Sequence, residues 1–472
     1  MKYYFKLIMC LVVVLIFSAC SPQTNITVTT VTGSCANGRE SAPYCMAVTM
    51  QNNAGGQNWI SSINYPFTNV SVSVAGVSNI MSPATNSSMD PNRCTSNKTT
   101  PGGTCTFYLQ LNQEHYPVGK VTPATVTIQY TVNNDLSSVF GTGGGTSYSY
   151  SFTVNENTNL YVVNASGTNN LITYNNSGMS GYTLESTAST NIKTIAMDNS
   201  SYGYLWFGTS QGIYWYGNRN TSGNTSYVPA GITGGVSNIF TSQVSPVESS
   251  TASSIMYGAM GGNLYNFTFS NLTWGNSVGT TSNSLLNNVN AVSLSGANTV
   301  LASVSQVFAC PTTSSSVACS TDGVSLNGIT DLVFATKVSS GFTWLYVATT
   351  NGVFAESGAF PRGANTWSMV TGANIDNSPI NLLTSDSLGN IYAGGNQGNI
   401  WIISVGTAPT VASLYAIAGG GAITGMIYDN IGKSLFVTSN NQLYQCKANN
   451  CKPLGKTGLG SVVGLGIGSS IS

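Results

Sequence analysis

A short apolar pattern recurs seven times in the last two-thirds of the chain and constrains its fold more than any other feature. The copies read Leu160-Tyr-Val-Val, Leu205-Trp-Phe-Gly, Ile255-Met-Tyr-Gly, Val300-Leu-Ala-Ser, Leu345-Tyr-Val-Ala, Ile391-Tyr-Ala-Gly and Leu435-Phe-Val-Thr, so that neighbours lie 44 to 50 residues apart. A fixed period of this length marks a solenoid or a propeller.

Each copy opens a hairpin. Gly167, Gly212, Gly262, Gly352 and Gly398 each fall seven residues after the first apolar position, and a second apolar or aromatic run follows. Two β-rich runs around a glycine-bearing turn are a hairpin signal. The copies at Val300 and Leu435 lack this glycine. From the second copy on, a further run precedes the hairpin: Ile192-Lys-Thr-Ile-Ala-Met, Val236-Ser-Asn-Ile-Phe, Val289-Asn-Ala-Val-Ser-Leu, Ile329-Thr-Asp-Leu-Val-Phe, Ile380-Asn-Leu-Leu and Ile423-Thr-Gly-Met-Ile-Tyr. These runs suit the innermost strand of a blade, which is covered on both sides. A weaker fourth run, as at Leu272-Thr-Trp and Thr366-Trp-Ser, completes a four-stranded unit. The first hairpin has no inner run before it, whereas Ser461-Val-Val-Gly-Leu-Gly-Ile-Gly is left over at the C-terminus. The simplest closure is a ring of seven blades, in which the tail supplies the inner strand of the first. Ser385-Asp-Ser-Leu-Gly-Asn-Ile-Tyr-Ala-Gly and Leu205-Trp-Phe-Gly-Thr-Ser-Gln-Gly-Ile-Tyr resemble the two-component-regulator type of propeller repeat. That resemblance implies an extracytoplasmic sensing or binding ring.

The N-terminus reads as a targeting segment. Lys2 and Lys6 precede an apolar run from Leu7 to Ala19, too short to span a bilayer, which ends Ile16-Phe-Ser-Ala-Cys20. This resembles the lipobox of bacterial lipoproteins, which implies cleavage before Cys20 and acylation of it. The alternative is an ordinary secretory signal with a chance cysteine. Ser21 in the next position is the non-acidic residue that, in Gram-negative lipoproteins, goes with the outer membrane. The expected location is therefore the cell envelope, lipid-anchored, on the periplasmic face or the cell surface.

The remaining cysteines agree with an oxidising compartment. Cys35 and Cys45, Cys94 and Cys105, Cys310 and Cys319, and Cys446 and Cys451 form four close pairs, read as disulfides. A zinc site would need further ligands, and the repeat region has no histidine.

Between the signal and the repeats, short alternating runs at Ile26, Cys45, Val70, Cys105, Ala124 and Ser147 suit a β-sandwich. Met50-Gln-Asn-Asn-Ala-Gly-Gly, Cys94, Pro101-Gly-Gly-Thr-Cys105-Thr-Phe-Tyr-Leu and Ala124-Thr-Val-Thr-Ile-Gln-Tyr resemble an immunoglobulin-like module of the choice-of-anchor type. Such modules act as spacers or docking surfaces. The expected organisation is all-β: a signal peptide over 1–19, an immunoglobulin-like sandwich over 20–155, and a seven-bladed propeller over 156–472.

Titratable chemistry is sparse. Charged residues are 6% of the chain and the net charge is zero, which disfavours nucleic-acid binding. His115, the single histidine, reads as a surface loop residue. Asp198, Asp386 and Asp429 each follow an inner run, where aspartate can bond its own turn backbone. Asp322, Asp331, Glu356 and Asp376 lack that explanation. Trp206, Trp215, Trp344 and Trp401 read as blade packing, and Trp274 and Trp367 as outer-strand residues. No phosphate loop, metal motif or nucleophile elbow is present.

The expectation is a membrane-anchored, non-enzymatic binding or scaffold lipoprotein without a cofactor, whose propeller docks an envelope protein. A glycan is a further candidate ligand. The alternatives are an enzyme acting on a glycan or small molecule in the propeller channel, and a surface adhesin. The connections from Thr241 to Ser254 and from Gly372 to Pro379 are candidate partner contacts. Replacing Cys20 by Ala is expected to abolish labelling with radioactive palmitate and to move the protein out of the membrane fraction, since stable anchoring takes two or more acyl chains.

Overall fold

The computed structural model describes the strands and tight turns between residues 26 and 472. Residues 1–25 and the longer connections, among them 33–44, 54–66, 82–93, 133–145, 183–191, 217–235, 242–254, 281–290 and 358–366, lie outside the described residues. Among the described residues every regular element but tight turns is a β-strand, and no helix is long and apolar enough to cross a membrane. The chain divides into two compact units. The first comprises 1–112, 122–156 and 471–472; the second comprises 113–121 and 157–470.

The first unit contains two sheets. One runs in the order Ile26–Thr32, Cys45–Asn52, Thr104–Leu111, Ile80–Met81. The other places Val121–Val132 between Phe67–Ala75 and the start of Thr146–Asn164. Alternation decides which side chains face inward. Cys105, Phe107, Leu109 and Leu111 are buried on one strand, and Ala124, Val126, Ile128, Tyr130 and Val132 on another. Phe67–Ala75 keeps its apolar residues on one side despite a change of parity, from Phe67 to Val70 and Val72. A register shift between Thr68 and Ser71, with Asn69 at a φ of 50°, inserts the extra residue that makes this possible. Thr99 links the two sheets. It exchanges backbone hydrogen bonds of 3.1 and 3.0 Å with Phe67, and its carbonyl also accepts 3.0 Å from Nδ2 of buried Asn52. Nearby, a disulfide joins Cys94 to Cys105. This two-sheet arrangement is compatible with the immunoglobulin-like resemblance.

In the second unit, six separate sheets follow the one that begins on the second half of Thr146–Asn164, which makes a succession of seven among the described residues; that first one is continuous, through Thr146–Asn164, with the sheet that holds Phe67–Ala75. The fifth is typical: Ile329–Lys337, Phe342–Thr349, Gly352–Ser357 and Ser368–Met369 pair antiparallel in chain order. The sixth and seventh repeat this pattern, starting from Ile380–Ser385 and Ile423–Asp429. The first sheet is built differently. Its innermost strand is the C-terminal Val462–Ile471, which pairs with Thr146–Asn164, followed by Leu171–Asn175 and Gly178–Tyr182. Ala165 N donates to Ser461 O over 2.8 Å, and Asn159 Nδ2 donates to Ser470 Oγ over 2.9 Å. The leftover C-terminal run therefore fills the place that the first hairpin lacks, which is the closure of a β-propeller.

Among the described residues the core of this unit is a series of layers between neighbouring sheets, and the four-residue motif sends alternate side chains into the layers on its two sides. Tyr161 and Val163 pack with Ile192, Leu205 and Phe207 of the second sheet, while Leu160 and Val162 pack with Phe436 and Leu443 of the seventh. Likewise Tyr346 and Ala348 face the sixth sheet, and Leu345 and Val347 face the fourth. A strand covered on both sides carries a continuous apolar run, not an alternating one. Each fully buried large side chain contributes about 1.5–3 kcal/mol. Trp344 and Trp401 lie in these layers, Trp206 is fully buried, and Trp401 Nε1 donates to Ala373 O over 2.9 Å.

Toward the middle of the ring the inner strands approach one another closely. A methyl group on Gly464 would lie 2.8 Å from Ile195 Cγ1. One on Gly425 would lie 3.0 Å from Val462 Cγ1 and 3.2 Å from Leu465 Cγ. These glycines let the closing strand seat between the second and seventh sheets. Gly464→Val is expected to destabilise the ring by about 1–3 kcal/mol in thermal or urea unfolding, as overpacking does. Gly460→Ala, at a position with nothing within 4 Å of the added methyl, is the control and should leave unfolding unchanged.

Candidate functional site

The inner strands share an irregularity. Their pairing shifts register between Ile192 and Thr194, Val236 and Asn238, Ile329 and Asp331, Ile380 and Leu382, and Ile423 and Gly425. Each shift leaves one residue out of the ladder and turns it aside. Two such residues tie their sheet to the next. Thr330 Oγ1 donates to Ile380 O over 2.6 Å, and Asn381 Nδ2 donates to Ile423 O over 3.2 Å. Thr424 turns back instead, its hydroxyl 3.0 Å from that of Thr438. Lys193, at the same place in the second sheet, is exposed.

Where these strands meet lies a cavity of about 260 Å³. Its wall comprises residues 193–195, Asp331, Leu382, Leu383, Gly425, Met426 and 463–465, which come from five of the seven sheets. Asp331 is the carboxylate in this wall. Its Oδ1 accepts from Leu332 N and its Oδ2 from Leu383 N, each over 2.8 Å, so it bridges the fifth and sixth sheets. Burial pushes its carboxyl up to about 7, against the opposing pull of the Leu383 and Leu332 amides. Lys193 supplies a positive charge to the same wall.

Two of the turn aspartates do what their sequence position implies. Asp386 Oδ1 accepts from Leu388 N and Asn390 N, each over 2.9 Å, and its Oδ2 accepts from Asn390 Nδ2 over 2.8 Å. Asp429 Oδ1 accepts from Ile431 N over 3.0 Å and Gly432 N over 2.9 Å. Its Oδ2 accepts 2.9 Å from Val118 N, which helps explain why 113–121 group with this unit. These turns carry a feature that the sequence reading missed. Leu388 and Ile431, each two residues after the aspartate, are 66% and 50% exposed. Ser387 N donates to Asn430 Oδ1 over 2.7 Å, so the two turns are joined. The signal was present as an apolar residue inside an Asp-x-x-Gly turn in consecutive repeats.

Of the carboxylates without a turn explanation, Asp331 lines the cavity, Glu356 is buried in a hairpin strand, and Asp376 is exposed in a turn. Asp322, Asp198 and His115 lie outside the described residues, as do Cys20, Cys35 and the Thr241 to Ser254 connection beyond its first residue. The connection from Gly372 to Pro379 is tied down: Ile375 is buried, and Asn377 N donates to Asn351 O over 3.1 Å. A second disulfide joins Cys446 to Cys451 across adjacent strands, and Cys45 and Cys319 are also disulfide-bonded. Among the described residues no group of three His, Cys, Asp or Glu side chains could hold a metal ion.

No protein-family model matches the chain, and no curated protein matches it. Several solved structures resemble it weakly. The extracellular domain of a protein assigned as a hybrid two-component system in B. thetaiotaomicron matches over 61% of this chain and 39% of its own, with a TM-score of 0.40 and 13% identity. A protein of Bacteroides fragilis assigned as a 6-phosphogluconolactonase matches over 66% of this chain and 98% of its own, with a TM-score of 0.44 and 11% identity. The Dos1 propeller matches over 62% of this chain and 75% of its own, with a TM-score of 0.40 and 13% identity. The chain thus spans 39% of the length of the first of these. Similarity at this level carries no functional argument, and the ring described above rests on its own strand pairing.

The Asp331 carboxyl gives the ring a pH dependence of definite sign. Its folded pKa lies above its unfolded value, so the native state binds the proton more tightly. The contribution is complete below about pH 4 and is lost as pH rises through about 7. Urea unfolding at pH 4.5 and pH 8 should differ by on the order of 2 kcal/mol from this group, and Asp331→Asn should remove that difference.

Proposed function

We propose that this chain is an extracytoplasmic, lipid-anchored binding protein of the cell envelope whose propeller docks a protein partner. Two joined turns carry the reading. Leu388 and Ile431 project from equivalent positions of consecutive sheets, each held by an aspartate that fixes the turn backbone and coupled through Ser387 and Asn430. Apolar side chains held this way lose little conformational freedom when a partner covers them, which favours association. Exposed single hydrophobics are ordinary, but two at matched positions on linked rigid turns make the beginning of a contact patch.

The disulfides support an oxidising compartment, since thiols in a reducing cytosol would stay unpaired. The lipobox-like ending at Cys20 supports anchoring, and Ser21 supports the outer membrane as its site. The carboxylates support binding over catalysis. Asp386 and Asp429 are occupied by turn amides, and Asp331 bridges two strands.

The double variant Leu388→Asp, Ile431→Asp tests the docking surface. Affinity purification from crosslinked membranes should recover at least about tenfold less of the envelope partner than with the native chain, in the range of hot-spot losses. Thermal unfolding should shift little, because exposed substitutions of this kind cost within about 0.5 kcal/mol. Undiminished recovery of the partner would remove this surface from the proposal.

A further inference from the structure

One strand edge of the first unit lacks the protection that strand edges carry elsewhere in the chain. Ile26–Thr32 lies at the side of its sheet and pairs over its whole length with Cys45–Asn52, without a register shift. Its sequence, Ile-Thr-Val-Thr-Thr-Val-Thr, contains no charge, proline or glycine. Among the described residues no backbone hydrogen bond reaches its outer side. Thr27, Thr29 and Thr30 are exposed, and Val31 is 55% exposed. An edge of this kind is a template for a further strand, and proteins ordinarily blunt it with short length, lysine or proline. The other edge of the same sheet is the two-residue strand Ile80–Met81, and the outer strand of the seventh sheet, Asn450–Gly455, carries Lys452 and Pro453. Ile26–Thr32 has none of these devices.

From this edge we infer that Ile26–Thr32 pairs with the same strand of a second copy of this chain, antiparallel about a two-fold axis, when both copies are anchored in one membrane. The chain length to the anchor favours that occupant. Ile26 follows Cys20 closely enough that full extension of the intervening residues spans only about 22 Å, so an acylated Cys20 holds this edge near the bilayer surface. Every other copy carries the identical edge at the same height. A two-fold axis along the membrane normal brings two such edges together without lifting either anchor. An uncharged strand also meets no repulsion from its own copy. A two-fold axis perpendicular to the sheet keeps each side chain on its own face. The register that pairs the whole strand places Thr29 opposite itself, Thr27 opposite Val31 and Val28 opposite Thr30. Ile26 and Val28, whose partners Asn52 and Met50 are buried, then stay on the core side of both sheets. One strand edge buries far less than the roughly 1,600 Å² of a standard stable interface. Confinement to a membrane supplies the remainder, by raising effective concentration as a tether does. The inference rests on the anchoring at Cys20 proposed above and not on the turns of Leu388 and Ile431.

The experiment is oxidative cross-linking of the full-length Thr29→Cys chain in isolated membranes, read on a non-reducing gel with mass spectrometry of the product. Thr29→Cys is expected to give a covalent dimer at least about fivefold more abundant than Thr410→Cys, an exposed position in the second unit that reports random collision. Adding Thr27→Lys and Val31→Lys sets lysine opposite lysine and should lower the dimer to the collision level. Co-expression with a Thr29→Cys chain that carries Thr27→Glu and Val31→Glu should restore it as a heterodimer. The Cys20→Ala form of Thr29→Cys, released from the membrane, should stay monomeric at about 1 μM, as so small an interface requires. The altered edge positions are exposed, so these variants leave the fold intact. Cross-linking no greater than that of Thr410→Cys, a product joined to a different protein, a dimer indifferent to the lysines, or a released chain that dimerises equally well overturns the inference. Palmitate labelling of the same membranes separates it from the reading it rests on. Without labelling, anchor and pairing both fail; labelling without cross-linking removes the pairing alone.

Discussion

The structure of the second unit depends on burying both faces of its sheets, as those with described side chains show. Leu160 and Val162 point one way and Tyr161 and Val163 the other, and each pair finds a cover in a different neighbouring sheet. A linear stack of such sheets would leave an apolar face open at each end. A ring leaves none, and this is why the C-terminal strand Val462–Ile471 sits beside the first hairpin instead of ending free. Closure is thus a packing requirement before it is a hydrogen-bonding one. The backbone bonds of the closing strand fix its register, while the apolar layers on either side make its position favourable.

The same requirement explains how the few charged groups are used. With layers on both faces, most charged side chains are left to the turns and the narrow centre, with Glu356, buried in a hairpin strand, an exception. Asp386 and Asp429 anchor turns, and in doing so hold Leu388 and Ile431 outward. Asp331 serves a different purpose at the centre, where it spans two inner strands and borders the cavity. Thr330 and Asn381 do related work one residue earlier, each reaching the first inner-strand carbonyl of the following sheet. Such side chain to backbone bonds contribute about 1 kcal/mol each, and they fix the angular spacing of the sheets that apolar packing alone would leave loose.

Much of this was legible in the chain. Hairpins, inner runs and the surplus terminal strand follow from period and polarity, because a strand covered on both faces must be apolar throughout. Local cysteine spacing pointed to pairs that the structure joins, as with Cys94 and Cys105 and with Cys446 and Cys451. The aspartate turns were readable for the same local reason: an Asp side chain reaches amides two to four residues away, as from Asp386 to Leu388 and Asn390. The register shifts were not readable. A residue set aside from the ladder, such as Lys193 or Asn381, looks in sequence like any other strand residue.

By itself the sequence determined that this chain is all-β, that its last two-thirds repeat as hairpin units, and that its two ends complement each other. Those properties are written in short-range patterns of polarity, each spanning a few residues. Only the tertiary structure decided that Lys193 and Asp331, 138 positions apart by their residue numbers, border one cavity, and that Leu388 and Ile431 stand on coupled turns. Both depend on how far each sheet is turned about the ring axis relative to the last. That angle is set jointly by the bulk of the side chains between sheets, by the glycines at the centre and by bonds such as those of Thr330 and Asn381, and no local pattern in the sequence encodes it.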